Sequence, residues 1–174
     1  MDPGILPTLT GMGFGRYPAL YLWHSDSARM PGNFTLGREL DKTFLRLGAG
    51  EAYYLDQIVH ADPSDLDTVE ARVRFHGAQQ HLKVLLCEKA LLYLFRCNGH
   101  ELRKPEQSPP GEWQVLTTAL NTAGLGDTGR WPAPTLKLSV ASMAAVGAVD
   151  IDSLSLRDSG AQQLLVNGDF ENGL

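Results

Sequence analysis

The sequence predicts an all-β fold, a sandwich of two antiparallel sheets, on three observations. Apolar residues recur at every second position in the most regular segments. Eighteen glycines and ten prolines punctuate the 174 residues at short intervals, which suits many short strands joined by turns. No segment holds a helical period for longer than about two turns. A chain of this length can bury one core, so a single β-sandwich domain over 1–174 is the expectation. The 43% hydrophobic and 20% charged content supports that core and excludes a disordered or collagen-like chain.

Residues 1–40 read as an irregular segment wrapping the sandwich. Gly11, Gly13, Gly15, Pro18, Pro31, Gly32 and Gly37 interrupt any period there, leaving short strands near 19–23 and 34–36. Runs rich in strand formers follow at 43–47 and 53–59, separated by a Gly48-Ala49-Gly50 loop or hairpin connection. A turn is expected at Ala61-Asp62-Pro63-Ser64-Asp65. The clearest strand is 68–75, where Val69, Ala71, Val73 and Phe75 share one face and Thr68, Glu70, Arg72 and Arg74 the other. A second alternation places Leu82, Val84 and Leu86 opposite His81 and Lys83, before Glu88-Lys89-Ala90 turns the chain into a partner run at 91–97. The Pro- and Gly-bearing stretch 98–111 reads as a long surface loop. Strands at 113–120, 135–140 and 149–156 complete the set. In the last, Val149 and Ile151 have one parity and Leu154 and Leu156 the other, so a β-bulge is expected near Asp152-Ser153.

Several function classes are set aside by composition. A net charge of -5 with scattered Arg and Lys lacks the footprint of a nucleic-acid binder. Apolar runs of a few residues fall far short of the roughly 20 needed to span a bilayer. No charged and then apolar leader opens the chain, so any targeting signal is expected upstream. Cys87 and Cys97, ten residues apart in a segment of hairpin character, would permit a cross-strand disulfide in an oxidising compartment, or are two buried thiols. The five histidines have no metal spacing, and no G-x-S-x-G elbow or phosphate loop is present. Glu51, Glu70, Glu88 and Glu112 are the carboxylates that a glycosidase would have to bring together in pairs; no motif supports one, and a non-enzyme is expected.

The terminal stretch Leu164-Leu165-Val166-Asn167-Gly168-Asp169-Phe170-Glu171-Asn172-Gly173-Leu174 resembles the opening strand of bacterial jelly-roll carbohydrate-binding modules and galactose-binding-like domains. Val149-Asp150-Ile151-Asp152-Ser153-Leu154-Ser155-Leu156 resembles their closing strand, and 54–59 with 68–74 their paired inner strands. The resemblance covers roughly 43–174 and implies a jelly-roll sandwich. In that family the opening motif stands first; here it stands last, so 164–174 is either a last, permuted strand or the start of a following segment. The resemblance also implies a structural Ca²⁺ held by Asp169 or Glu171 with Asp150 or Asp152, which would need about six oxygens.

Sugar recognition needs flat aromatic faces and planar polar groups. Trp131 and Arg130, in the loop Gly129-Arg130-Trp131-Pro132, are the first candidates, with Tyr54 and Gln57 beside them. Trp113, in phase with Val115, reads as core packing, and Arg72 and Arg74 as a solvated sheet face. The expected function is non-catalytic binding of a carbohydrate or polysaccharide of the bacterial envelope, in a periplasmic or secreted, extracytoplasmic setting. The alternative is a structural spacer or protein-interaction sandwich of a larger extracytoplasmic or membrane-anchored parent, which is expected to continue past Leu174.

Overall fold

The computed structural model describes residues 24–25, 34–48, 55–77, 81–90, 93–126, 135–142 and 147–171. In chain order these form β1 (His24–Ser25), β2 (Phe34–Glu39), β3 (Lys42–Leu47), β4 (Leu55–Val59), β5 (Leu66–Phe75), β6 (His81–Ala90), β7 (Tyr93–Arg103), β8 (Trp113–Ala119), β9 (Thr135–Ser142) and β10 (Val149–Asp158). They pair antiparallel in two five-stranded sheets of order β1-β4-β9-β6-β7 and β2-β3-β10-β5-β8. The molecule is a jelly-roll β-sandwich without an α-helix among the described residues.

The core lies between the sheets and follows from period two. Val69, Ala71, Val73 and Phe75 of β5 and Leu82, Val84 and Leu86 of β6 are fully buried. They meet Leu136, Leu138 and Val140 of β9 and Ile151, Leu154 and Leu156 of β10. The parity change in β10 is carried by a bulge between Ile151 and Ser153 in its ladder with β5, at the place the sequence required it. Asp62 caps the 3₁₀ turn Pro63–Asp65, accepting from Ser64 N at 2.9 Å. This Asx-type bond is the reason a proline turn forms there.

Three local expectations are corrected. Stretch 98–111 is not all loop, because β7 runs on to Arg103. Gly99 stands opposite Leu85 in that ladder, where a Cβ would approach Leu85 to 3.3 Å; the glycine marks close packing inside an edge strand. Likewise Glu88-Lys89-Ala90 lies within β6, with a register irregularity at Cys87/Lys89 in place of a turn. Of the two readings of the connection after β3, the hairpin is excluded, since β3 and β4 belong to different sheets. Within 1–40, β2 forms a regular hairpin with β3, Glu39 standing opposite Lys42; the strand expected at 19–23 lies outside the described residues.

After β10 the chain turns back along it. Leu164 N bonds Leu156 O at 2.9 Å and Leu154 N bonds Gly168 O at 2.7 Å. Gly168 is required there, because a Cβ would overlap the Leu154 carbonyl. Leu165 and Phe170 from this segment enter the core. Leu165 and Phe170 of the opening-type motif therefore pack within this sandwich, with Leu164 partly buried against it and Val166 exposed.

Candidate functional site

Each sheet has an outward face, and the two differ. In β4, β9 and β6, Asp56, Lys137, Ser139, Lys83, Leu85 and Cys87 alternate with core residues and so point away from the interior. Asp56 Oδ1 lies 3.5 Å from Lys137 Nζ, and both residues, with Ser139 and Cys87, are buried. Cys87 stands directly opposite Cys97 and the two form a disulfide, with Cα atoms 4.1 Å apart. Asp56, Lys137, Ser139 and Cys87 thus point outward from the sheet yet are buried, while Lys83 and Leu85 are half-buried.

The outward face of the second sheet is open and carries rings. Cross-strand register sets Thr35, Arg46, Asp150, Arg74 and Trp113 in one row across β2, β3, β10, β5 and β8. Phe44 lies beside them, opposite Gly37, where any side chain would overlap its ring. Phe44 and Trp113 meet edge to face, with centroids 5.9 Å apart at 71°. The Arg74 guanidinium lies 4.4 Å from the Trp113 centroid and 5.3 Å from that of Phe44. Arg72 stands over Trp113 at 5.1 Å and Arg46 over Phe44 at 5.5 Å. Each such contact contributes about 0.5–1 kcal/mol at a partly exposed site. Together they hold both rings in place.

Acidic side chains lock the arginines. Asp150, fully buried, accepts from Arg46 Nε at 2.6 Å and Nη2 at 2.9 Å, and from Arg74 Nε at 3.0 Å and Nη2 at 2.8 Å. It also lies 2.8 Å from His76 Nε2. Burial pushes its carboxyl pKa up, but the hydrogen bonds from Arg46, His76 and Arg74 outweigh burial and hold it below the ordinary value. The bond to Asp150 correspondingly raises Arg46. Arg74 Nη1 reaches Glu39 at 2.7 Å, and Arg72 Nη1 reaches Asp152 at 2.5 Å.

Phe44, Trp113, Arg72 and Asp152, with Glu39 to Lys42 of the β2–β3 turn, enclose a cavity of about 340 Å³. Leu40 at its rim is 94% exposed and has φ 55°, a left-handed conformation that hairpin turns favour in glycine.

Residues singled out from sequence fall as follows. Trp131, Arg130 and Tyr54 lie outside the described residues. Gln57 is not on an outward face: it shares the parity of Leu55 and Val59, is buried, and spends its amide on Val166, donating to O at 2.8 Å and accepting from N at 2.9 Å. Asp150 and Asp152 face arginines. Glu171 accepts from Thr43 N at 2.8 Å and Oγ1 at 3.0 Å, and Asp169 accepts from Glu171 N at 3.4 Å. The backbone bond from Thr43, aided by its hydroxyl, lowers the Glu171 pKa. Cationic side chains thus hold both oxygens of Asp150 and Oδ2 of Asp152, and Thr43 holds both oxygens of Glu171. Among the described residues no group of three or more His, Cys, Asp or Glu is arranged for a metal. Glu70 projects outward from β5, Glu88 is buried with its carboxylate accepting from Gly126 N and Glu112 is exposed in a loop, while Glu51 lies outside the described residues.

Trp113, expected in the core, stands on the outward face opposite Arg74. The signal lay in its own strand: Leu116 and Leu120 have the opposite parity and pack on the core, which turns Trp113 outward.

No family model matches the chain, and no curated protein matches it. Similarity to solved structures is confined to shape. The CBM22-1 xylan-binding domain from Paenibacillus barcinonensis Xyn10C superposes with a TM-score of 0.50 at 13% identity, over 84% of this chain and 90% of that one. The CBM22-1 and GH10 modules of Clostridium thermocellum xylanase 10B, complexed with xylohexaose, give 0.51 at 11% identity over 84% of this chain and 28% of the other. Xylanase 10C of Cellvibrio japonicus, in complex with xylopentaose, gives 0.50 at 10% identity over 83% and 27%. The chain thus has the β-sandwich fold of the carbohydrate-binding modules.

Proposed function

We propose that this chain is a non-catalytic carbohydrate-binding module whose ligand docks in the groove at Trp113. The observation that carries the reading is the pairing of a half-exposed tryptophan with arginines and carboxylates fixed in a sugar-sized cavity. A ring offers its face to the apolar side of a pyranose, while planar charged groups bond hydroxyls in pairs. Preorganisation of those groups by Asp150 lowers the entropy lost on binding. Modules of this fold in the xylan-binding domain and the two xylanases support the reading. The ligand we favour is a bacterial envelope glycan or polysaccharide, and the Cys87–Cys97 disulfide favours an extracytoplasmic setting. Trp131, Arg130 and Tyr54 are proposed as further contacts.

Affinity electrophoresis against soluble polysaccharides, with a glycan array beside it, tests this. Trp113→Ala is expected to weaken binding at least about tenfold, the loss of a stacked ring, with an unchanged far-ultraviolet spectrum. If Trp131→Ala abolishes binding and Trp113→Ala leaves it intact, the groove is not the site. Retention of no glycan at all would leave the chain as a structural spacer.

A further inference from the structure

We propose that the Cys87–Cys97 bridge is a thiol-exchange site: a low-molecular-weight thiolate attacks the Cys97 sulfur from solvent, and Cys87 leaves as a thiolate beside the Lys137 ammonium. Both cysteines project from the outward face of the first sheet, directly opposite each other in the β6–β7 ladder, yet their surroundings differ. Cys97 is exposed. It lies on β7, the edge strand of its sheet, and next to it on that face comes the exposed Gly99, which has no side chain to shield the sulfur. Arg96 and Asn98 turn the other way, donating to Gly124 O and Asn121 O. A reagent therefore reaches the Cys97 sulfur without the hairpin opening.

Cys87 is the opposite case. It is 1% exposed and stands directly opposite Lys137 in the β6–β9 ladder, a placement that sets the two Cβ atoms about 5 Å apart. The Lys137 ammonium is buried and is shared with Asp56 at 3.5 Å. Lys89, also buried, follows Cys87 on the same side of that ladder, about 7 Å along the strand. In the other direction Lys83 stands opposite Glu101, while Glu88, of opposite parity, accepts from Gly126 N. An ammonium beside a thiol favours its thiolate, and exchange is faster when the departing thiol is the more acidic. Access and leaving-group stability thus select the same direction of attack. The incoming thiol gives its proton to solvent, and its thiolate bonds to Cys97 Sγ as the Cys87–Cys97 bond breaks, the electron pair going to Cys87. A second thiolate attacks the external sulfur of that mixed disulfide, forming the reagent's own disulfide and releasing Cys97 as a thiolate. Two thiols are oxidised, one protein disulfide is reduced, and solvent returns two protons to the cysteines.

The test follows the native protein in reduced glutathione, with samples trapped by iodoacetamide and read by intact and peptide mass spectrometry. Adduct formation is expected to be first order in glutathione while the far-ultraviolet spectrum stays native, with glutathione on Cys97 and the trapping group on Cys87. Asp56→Asn, which removes the carboxylate that shares the Lys137 ammonium, should speed exchange at least about threefold. Asp56→Asn combined with Lys137→Met, which removes both charges without stranding either, should slow it by a similar factor relative to the parent. The opposite signs separate an electrostatic role from a structural one, because a loosened sheet would speed both. Glutathione found on Cys87, a rate independent of glutathione concentration, or one rate shared by the parent and both variants overturns the proposal.

Discussion

Asp150 shows how one buried residue organises a surface. With its carboxylate fully inaccessible, the hydrogen bonds from Arg46 and Arg74 fix the two guanidinium planes that in turn hold Phe44 and Trp113. Its lowered pKa means that the folded state keeps this charge while the unfolded chain takes up protons. The stabilisation is therefore complete above the ordinary carboxylate value of 3.8 and is lost as pH falls through the folded one. His100 acts earlier in an acid titration. Buried on the core side of β7, it has a pKa lowered by desolvation from 6.5, so its contribution is whole above that value and declines as the unfolded chain protonates first. Melting temperature is expected to fall between about pH 7.5 and 5.5, and His100→Leu to remove that fall. A variant that melts with the same pH dependence as the parent would show that His100 is not the group responsible. His100→Leu should also not weaken the fold at neutral pH, since Nε2 has no hydrogen-bond partner to lose.

At the scale of elements, the β6–β7 hairpin and the segment after β10 carry most of what sequence patterning left open. The Cys87–Cys97 bridge closes a short loop within one ladder. Replacing both cysteines by alanine is expected to cost about 2–3 kcal/mol, read as a lower urea midpoint with an unchanged slope. The returning segment is tied to the sandwich by Gln57 and by the burial of Phe170, which is 0% exposed. Phe170→Ala is expected to cost about 3–5 kcal/mol. A loss well below 1 kcal/mol would mean that the segment is not part of this core. Hairpin β2–β3 has a different role: its strained turn lifts Leu40 to the rim of the groove, so its geometry serves the site more than the core.

For the whole molecule, the groove on the outward face of the second sheet is lined by paired charges, Arg46 and Arg74 on Asp150, Arg72 on Asp152 and Arg74 on Glu39. Glycan binding is therefore expected to change less than about twofold between roughly 50 and 500 mM salt, because no long-range attraction is there to be screened. A steep salt dependence by titration calorimetry would point instead to an acidic ligand. The two-layer architecture was legible from the sequence because burial on one side of a strand writes itself as alternation. Val69 to Phe75, Leu82 to Leu86 and even the bulge at Asp152 could be placed without coordinates. The open groove was not legible, because it is assembled from β2, β3, β5, β8 and β10, whose order across the sheet no local pattern encodes. Parity says that Arg74 and Trp113 point outward, but only strand pairing sets them side by side over a buried aspartate from the far end of the chain. Gln57 makes the same point in reverse, since its polar side chain turned inward to meet Val166 through a contact spanning 109 residues. Side-chain alternation is a property of one strand, and adjacency a property of the folded sheet.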